Sequence, residues 1–315
     1  MRFYHLPIFA RNFPDEMQIF DLAVAYKWKY DKELVELIER NFQRSGLRTF
    51  VIGKFNLHEV VDHLKKKKIY FKVYLDRASD EDPEFLPISK LLSRKKSYII
   101  NPHHKIVKSI DKLSMHRKLV KRKFRLPKTL LLPSYDHDDS LRINANHLEE
   151  LGIPFVIKPS LISGGGEGVI KSAESLAQIH EERRKNHLEK YLVQEKIYPR
   201  KIQGKRAWFR LLWAFDKVIP TWWDDHTHIY QRVTKVDVKR HNLLPLYRIT
   251  KRLARLTQLD YFSTEIALTK DHKFVLIDYV NDQCDLRLKS NHVDGVPDEV
   301  VNEFIERMKR KVLSI

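Results

Sequence analysis

The sequence predicts an α/β protein of unlike lobes, with a small parallel α/β lobe first and hairpin-rich α+β lobes after it. Between residues 31 and 101 helical and extended patterns alternate, as in a parallel sheet with crossover helices. After residue 206, two pairs of apolar runs are each joined by a short polar turn, as in antiparallel hairpins. A length of 315 residues exceeds what one hydrophobic core usually holds, so two or three lobes are expected.

The elements follow in order. Residues 31–45 place Leu34, Leu37, Ile38 and Phe42 on one helical face, and Gly46 stops the helix. "RTFVIG" reads as a strand, "NLHEVVDHLKKK" as a helix capped by Asn56, "YFKVYLD" as a strand, "PEFLPISKLLSRKK" as helical and "SYIIN" as a strand. Ligands of such a sheet gather at the carboxyl ends of its strands, where Gly53, Asp76 and Asn101 lie. One long helix is expected over 103–123, then extended chain through "RLPKTLLLP" and a polar loop, "YDHDDSLRINANH". A buried strand over 154–157 is closed by Lys158 and runs into the loop 163–168. A charged helix (173–186) and the strand "YLVQEKI" come next. Hairpins are expected to turn at Asp216-Lys217 and at Asp271-His272, with an amphipathic, basic helix over 248–259 between them. The last helix, 297–312, buries Val301, Phe304, Ile305 and Met308 and carries acids at its start and bases at its end, as the helix dipole favours.

Composition narrows the classes. Hydrophobic content of 43% with 32% charged residues fits a folded globular chain. No apolar run approaches the ~18 residues that span a bilayer, and residues 1–16 lack a basic segment followed by an apolar core, so a cytoplasmic location is expected. A single cysteine, Cys284, excludes an intrachain disulfide and a cysteine-based zinc site, and reads as a packing residue. His226 and His228 would share one strand face, but no third strong ligand is evident nearby. The net charge of +18, from 59 Lys and Arg against 41 Asp and Glu, is clustered at 65–68, 94–96, 118–125 and 309–311. Such runs usually form solvated helix ends, but this surplus favours anionic partners: nucleotide, an acidic substrate or nucleic acid.

The chemistry concentrates in two places. "SGGGEG", Ser163 to Gly168, can take positive φ and bring bare backbone to a ligand, as a phosphate loop or as a tight turn. It is not a P-loop, because Val169 and Ile170 separate Gly168 from Lys171. In the last hairpin, Glu265 and Asp278 lie inside apolar runs, where an unpaired charge is costly, and Asn281 and Asp282 follow. Two antiparallel strands can bring such carboxylates side by side, an arrangement that suits Mg²⁺ holding phosphate oxygens.

With "DKLSMHRKLVKRKFRLPKTLLL", "PFVIKPSLISGGGEGV", "YLVQEKI", "WFRLLWAFDKVI" and "STEIALTKDHKFVLIDYVN" in this order, the whole chain resembles the ATP-grasp superfamily. The resemblance implies a Rossmann-like pre-ATP-grasp lobe (1–105), a small lobe with the phosphate loop (106–195) and a C-terminal lobe with the metal hairpin (196–315). It implies that Lys112, Lys158, Ser163, Gly164, Gly165, Gly166 and Gly168 contact ATP phosphates. Gln194, Glu195, Lys196 and Ile197 would form the hinge that reads adenine, and Arg210 would face the reacting phosphate. Glu265, Asp278 and Asn281 would hold magnesium, two ions in all.

The chain departs from the family pattern in three ways. Asp278 and Asn281 are three residues apart rather than two, so either a bulge re-aims Asn281 or Asp282 takes its role. Trp208 stands two residues before Arg210 where many relatives carry an acid, which leaves the ribose contact unassigned. "VNDQCDLR" replaces the common asparagine, small residue, proline and glycine.

The implied activity is a ligase that activates a carboxylate as an acyl phosphate for attack by an amine or thiol. The acid would bind near the N-terminal lobe and the strand "TWWDDHTHIYQR". The alternative is a kinase acting on a hydroxyl of an anionic, inositol phosphate-like substrate, with Arg77, His103, His104, Arg232, Arg248, Arg252 and Arg287 as anion contacts. A nucleic-acid-binding protein with a degenerate nucleotide site is a third class, disfavoured by the intact Lys158, Glu265 and Asp278. Trp222 and Trp223 are core residues or, for one of them, a wall of the substrate pocket. The oligomeric state is left open.

Overall fold

The computed structural model describes residues 16–138, 143–161 and 166–315. The chain separates into two compact units, residues 1–100 with 309–315, and residues 101–308.

The first unit alternates β1 (Gln18–Tyr26), α1 (Asp31–Gln43), β2 (Thr49–Ile52), α2 (Leu57–Lys65), β3 (Ile69–Arg77), α3 (Leu86–Arg94) and β4 (Tyr98–Ile100). Its sheet is wholly parallel in the order β2-β1-β3-β4. The central strand β1 was not anticipated by the reading above. Leu22, Ala23, Val24 and Ala25 are all fully buried, as parallel strands covered on both faces require. Residues expected at a ligand-binding edge are instead spent on the fold. Asp76 accepts from the Ser79 and Ser89 hydroxyls. Asn56 ties back to Gly53 N and Val51 O rather than capping its helix. Arg77 makes a buried, two-pronged pair with Asp31 at 2.9 and 2.8 Å, so it is not an available anion contact.

The second unit opens with α4 (His103–Ile110) and α5 (Lys112–Lys121) where one long helix was expected. The break is Asp111, extended at φ −65°, ψ 101°, whose carboxylate accepts from Leu113 N and Ser114 N and so starts a new helix. Asn101, expected beside a ligand, bonds Tyr261 O and Asp260 N within this unit. Next come β5 (Thr129–Leu132), α6 (Ala145–Leu151), β6 (Phe155–Pro159), β7 (Ile170–Ala173), α7 (Leu176–Lys185) and β8 (Tyr191–Glu195). They form an antiparallel sheet, β5-β8-β6-β7, over a core that includes Phe155, Ile157, Ile179 and Val193. Lys158 lies within β6 rather than after it.

The small hairpin β9 (Lys201–Ile202) and β10 (Lys205–Arg206) leads to β11 (Trp208–Ala214), β12 (Lys217–Trp223), β13 (Tyr230–Arg232), α8 (Lys235–Arg240), α9 (Leu244–Thr257), β14 (Tyr261–Leu268), β15 (Phe274–Asn281) and α10 (Asp298–Leu313). The order of this second sheet is β13-β12-β11-β14-β15. Its first hairpin turns at Phe215-Asp216, one residue earlier than expected, since Lys217 already pairs with Ala214. One face packs Phe209, Leu211, Trp222, Phe262, Ile266 and Leu276 into a core shared with Leu246 and Leu253 of α9 and Leu119 of α5. Each such fully buried side chain contributes about 1.5–3 kcal/mol. Residues 224–229 are a turn, not a strand: Asp224 accepts from His226 N and Thr227 N, and His228 stacks on Trp223. His226 and His228 therefore share no strand face.

Candidate active site

The opposite face of the second sheet carries the polar groups. Arg232, Thr221, Arg210, Glu265 and Asp278 are successive cross-strand partners from β13 to β15. Strands in register place such partners side by side on one face. Arg210 Nη2 donates to Glu265 Oε1 at 2.6 Å and Nη1 to Tyr230 Oη at 2.7 Å. The guanidinium also lies over the Trp223 ring, 4.3 Å from its centroid. Burial works against the charge of Arg210, but Tyr230, Glu265 and Asp278 more than reverse this and hold it cationic. The second oxygen of Glu265 accepts from Trp208 Nε1 at 3.1 Å.

Asp278 stands opposite Glu265, and β15 bulges on both sides of it. Ser263 pairs with Asn281, Glu265 with Asp278 and Ile266 with Leu276, so β15 spends an extra residue at each step. The bulge absorbs the additional residue between Asp278 and Asn281 and sets Asn281 opposite Ser263, on the face Glu265 shares. Asp282 is buried, 8% exposed.

Two lysines approach Asp278, one at its carboxylate and one at the preceding carbonyl. Lys112 Nζ is 3.8 Å from Asp278 Oδ1, and Lys158 Nζ donates to the adjoining Ile277 carbonyl at 3.3 Å. Burial pushes Asp278 up, but Lys112, Lys158 and Arg210 outweigh it and hold the carboxyl below its ordinary range. Burial lowers the Lys158 ammonium further than Asp278 and Glu265 can restore. Ser160 joins the elements carrying the lysines. Its carbonyl accepts from Lys112 N, its hydroxyl oxygen from Leu113 N, and its O–H donates to Asp111 Oδ1 at 2.6 Å.

Behind Asp278, on the other face of β15, lies a buried chain of hydrogen bonds. Gln194 Nε2 donates to Thr129 Oγ1 and to Tyr279 Oη, and Tyr279 Oη meets His116 Nδ1 at 2.6 Å. Burial drops His116 to about 4, so its ring is neutral at pH 7 and Nδ1 can accept from the tyrosine. The Gln194 side chain is thus committed inside the protein. At the neighbouring segment Glu195 Oε1 accepts from Lys128 N, Lys196 Nζ donates to Ser172 Oγ, and Ile197 is half-buried.

Of the glycine loop, Gly166 and Gly168 have φ of +88° and +67°, a conformation open to glycine. Ser163, Gly164 and Gly165 lie outside the described residues. Of the proposed anion contacts, Arg232 pairs with Glu303, Arg287 with Asp285 and Asp294, and Arg252 donates to Arg122 O. His103, His104 and Arg248 are exposed. Cys284 is buried, as expected, and lines a small pocket with Arg210, Thr221, Tyr230 and Ser263.

The sequence reading missed Trp208, Tyr230 and Trp223 as neighbours of the charged row. Trp208 carried a signal, because i and i+2 on a strand share a face, and Trp223 was named with Trp222 as a core residue or pocket wall.

Neither a scan against protein-family models nor a search of curated proteins finds a match. Solved structures do match. The ATP-grasp ligase PsnB, complexed with minimal precursor, Mg and ADP, superposes with a TM-score of 0.61 at 12% identity over 92% of this chain and 98% of that one. The macrocyclase MdnC of Microcystis aeruginosa, bound with precursor peptide MdnA, gives 0.61 at 11% identity over 90% and 98%. The D-alanine–D-alanine ligase of Bacillus anthracis, complexed with ATP, gives 0.59 at 13% identity over 94% and 98%. The chain has the ATP-grasp fold. Within the ATP-grasp fold of this chain, the charged row, the two lysines and the glycine loop all belong to residues 101–308.

Proposed function

We propose that this chain is an ATP- and Mg²⁺-dependent ligase that joins a carboxylate to an amine. One observation carries the reading. Glu265 and Asp278 face each other across antiparallel strands, with the Arg210 guanidinium on one flank and the Lys112 and Lys158 ammonium groups on the other. A buried acid and a half-buried one held against cations cost desolvation energy, and such clusters concentrate at functional sites. ATP-grasp ligases among the solved structures of the same fold, two of them complexed with ADP or ATP, support the same reading.

The donor set fits magnesium. Glu265, Asp278 and Asn281 offer hard oxygens on one face, and the side chains of Glu265 and Asp278 keep 10% and 26% exposure. Bound there, Mg²⁺ would neutralise phosphate oxygens and orient the triphosphate. Lys112 and Lys158 would bind the triphosphate, and the glycine loop would close over it and exclude water. Arg210 would stabilise charge developing on the transferring phosphoryl group. In the first step the substrate carboxylate oxygen forms a bond to the γ-phosphorus and the β–γ bridging bond breaks, giving acyl phosphate and ADP. In the second, the amine bonds the acyl carbon, phosphate departs with the C–O electron pair, and the amine proton is lost. The hinge over 194–197 would bind adenine. Functional boundaries near residues 105 and 195 accompany this proposal.

We favour a ligase over a hydroxyl kinase because Arg77, Arg232 and Arg287 are engaged by this chain's own carboxylates rather than held ready for a polyphosphate. The test is ATP turnover with magnesium against pooled carboxylic acids, amino acids and peptides, with and without hydroxylamine, read by mass spectrometry. A hydroxamate formed together with ADP supports carboxylate activation. ADP with a phosphorylated hydroxyl and no hydroxamate overturns the ligase in favour of the kinase.

A further inference from the structure

Residues 112–134 and 238–259 contain no aspartate or glutamate. Folding brings them together: α4, α5 and α9 pack through Ile106, Leu119, Phe124, Leu246, Leu253 and Leu256, and their polar sides face outward. Arg117, Lys121 and Arg125 on one side, and Arg248, Lys251 and Arg255 on the other, are exposed. Elsewhere this chain pairs its surface cations, Lys54 with Asp82 and Glu84, Lys72 with Asp21, Lys185 with Glu181 and Glu182, and Arg206 with Asp225. On this face, among the described residues, three donors reach neutral carbonyls. Arg252 reaches Arg122 O at 2.7 Å, Lys118 reaches Lys108 O at 2.9 Å, and Lys105 reaches Gln258 O at 3.1 Å.

A field of like charges repels itself, and helices from two parts of the sequence maintain it, with one acid at the α4–α5 junction, Asp111, half-buried and committed to capping α5 and to Ser160. We propose that this face docks the phosphate backbone of a nucleic-acid duplex. The charges spread over a helical layer rather than along a groove, which suits two phosphate strands better than one extended acidic peptide. α9 is 14 residues long, about 21 Å at 1.5 Å per residue, or roughly six base-pair steps. Arginines supply much of the charge, and their planar forks match phosphate. Arg252 is oriented beforehand, its guanidinium over the Phe124 ring at 4.3 Å. The large hydrophobics exposed on these helices are Val107, Val120 and Leu244. None is an aromatic of the kind that stacks unpaired bases or anchors a membrane surface, so backbone contact without sequence reading is the mode that fits.

The test is fluorescence anisotropy of labelled 20-base-pair RNA and DNA duplexes against the full chain from 50 to 300 mM salt. The expected log–log salt slope is about −3 or steeper. Arg248→Gln/Lys251→Gln/Arg255→Gln should bind at least about tenfold more weakly and flatten that slope by about 2. Arg117→Gln/Lys121→Gln/Arg125→Gln is an independent second variant with the same expectation. Lys65→Gln/Lys68→Gln/Arg94→Gln removes equal charge elsewhere and should change affinity less than about threefold. If this control loses as much as the other two, net charge alone is responsible and the face is refuted. Polyglutamate or anionic phosphatidylserine vesicles that displace the duplex at equal charge concentration would also overturn the assignment.

Discussion

Arg210 and Glu265 sit directly opposite each other on β11 and β14 and share a 2.6 Å charge-assisted hydrogen bond. The guanidinium needs its fork to hold Glu265 and Tyr230 together while its plane rests on Trp223. Lysine offers neither plane nor fork. Arg210→Lys should therefore lower kcat by about 10²–10³, with the Kd for ATP by calorimetry changed less than about threefold.

Trp208 positions the same carboxylate from its other oxygen. Trp208→Phe keeps an aromatic ring, smaller than the indole, and removes the donor, and an unmet acceptor costs about 1–3 kcal/mol. The Mg²⁺ concentration for half-maximal activity should rise several-fold, and Mn²⁺ affinity measured by electron paramagnetic resonance with a non-hydrolysable ATP analogue should fall in parallel. A lower melting temperature with unchanged Mn²⁺ affinity would leave Trp208 a packing residue.

The bulge in β15 sets Asn281 opposite Ser263, at the end of the strand, and Asp282 follows it as a buried residue outside the ladder. Asn281→Ala should raise the Mg²⁺ requirement and cut kcat by about 10²-fold, whereas Asp282→Asn should act on melting temperature and leave the Mg²⁺ requirement within about twofold. The reverse pattern would reassign the third oxygen donor.

Lys158→Ala and Asp278→Asn should each abolish turnover while the circular dichroism spectrum stays native. Full activity in either variant would remove the candidate site.

His116 makes stability depend on pH. Its folded value of about 4 lies below the ordinary 6.5, so the folded state binds fewer protons between those limits. Its contribution is complete above about pH 6.5 and is lost as pH falls toward 4. The melting temperature should drop from pH 6.5 to 5, and His116→Gln should flatten that drop.

Much of this was legible in the sequence because it depends on local pattern. α1 and α10 follow from helical spacing, and the two long hairpins from paired apolar runs around short turns. Other features depended on partners distant in sequence. β1 was passed over although Leu22 to Ala25 are fully buried, and the Asp111 carboxylate that starts α5 is also held by Ser160, 49 positions away. Arg77 looks like an anion contact in the sequence and is a buried ion pair in the fold, because Asp31 is 46 positions away. Within the candidate site, burial of charge within apolar runs pointed to Glu265 and Asp278, and the family resemblance to Lys112, Lys158 and Arg210. The contacts of Trp208 and Tyr230 required the strand register.

The Ser160 junction makes the charge balance at Asp278 a collective property. Lys158 precedes Ser160 by two residues in the chain, and Lys112 hangs from Ser160 by its own backbone N–H. The main-chain segments that carry the two lysines are therefore pinned together at one residue. Asp278 thus draws two of its three counter-charges from elements joined at Ser160 and the third, Arg210, from β11 of its own sheet. A substitution at Ser160, which holds no charge and bonds no substrate in this scheme, would remove the hydroxyl's bonds to Leu113 N and Asp111 and leave the main-chain bond to Lys112.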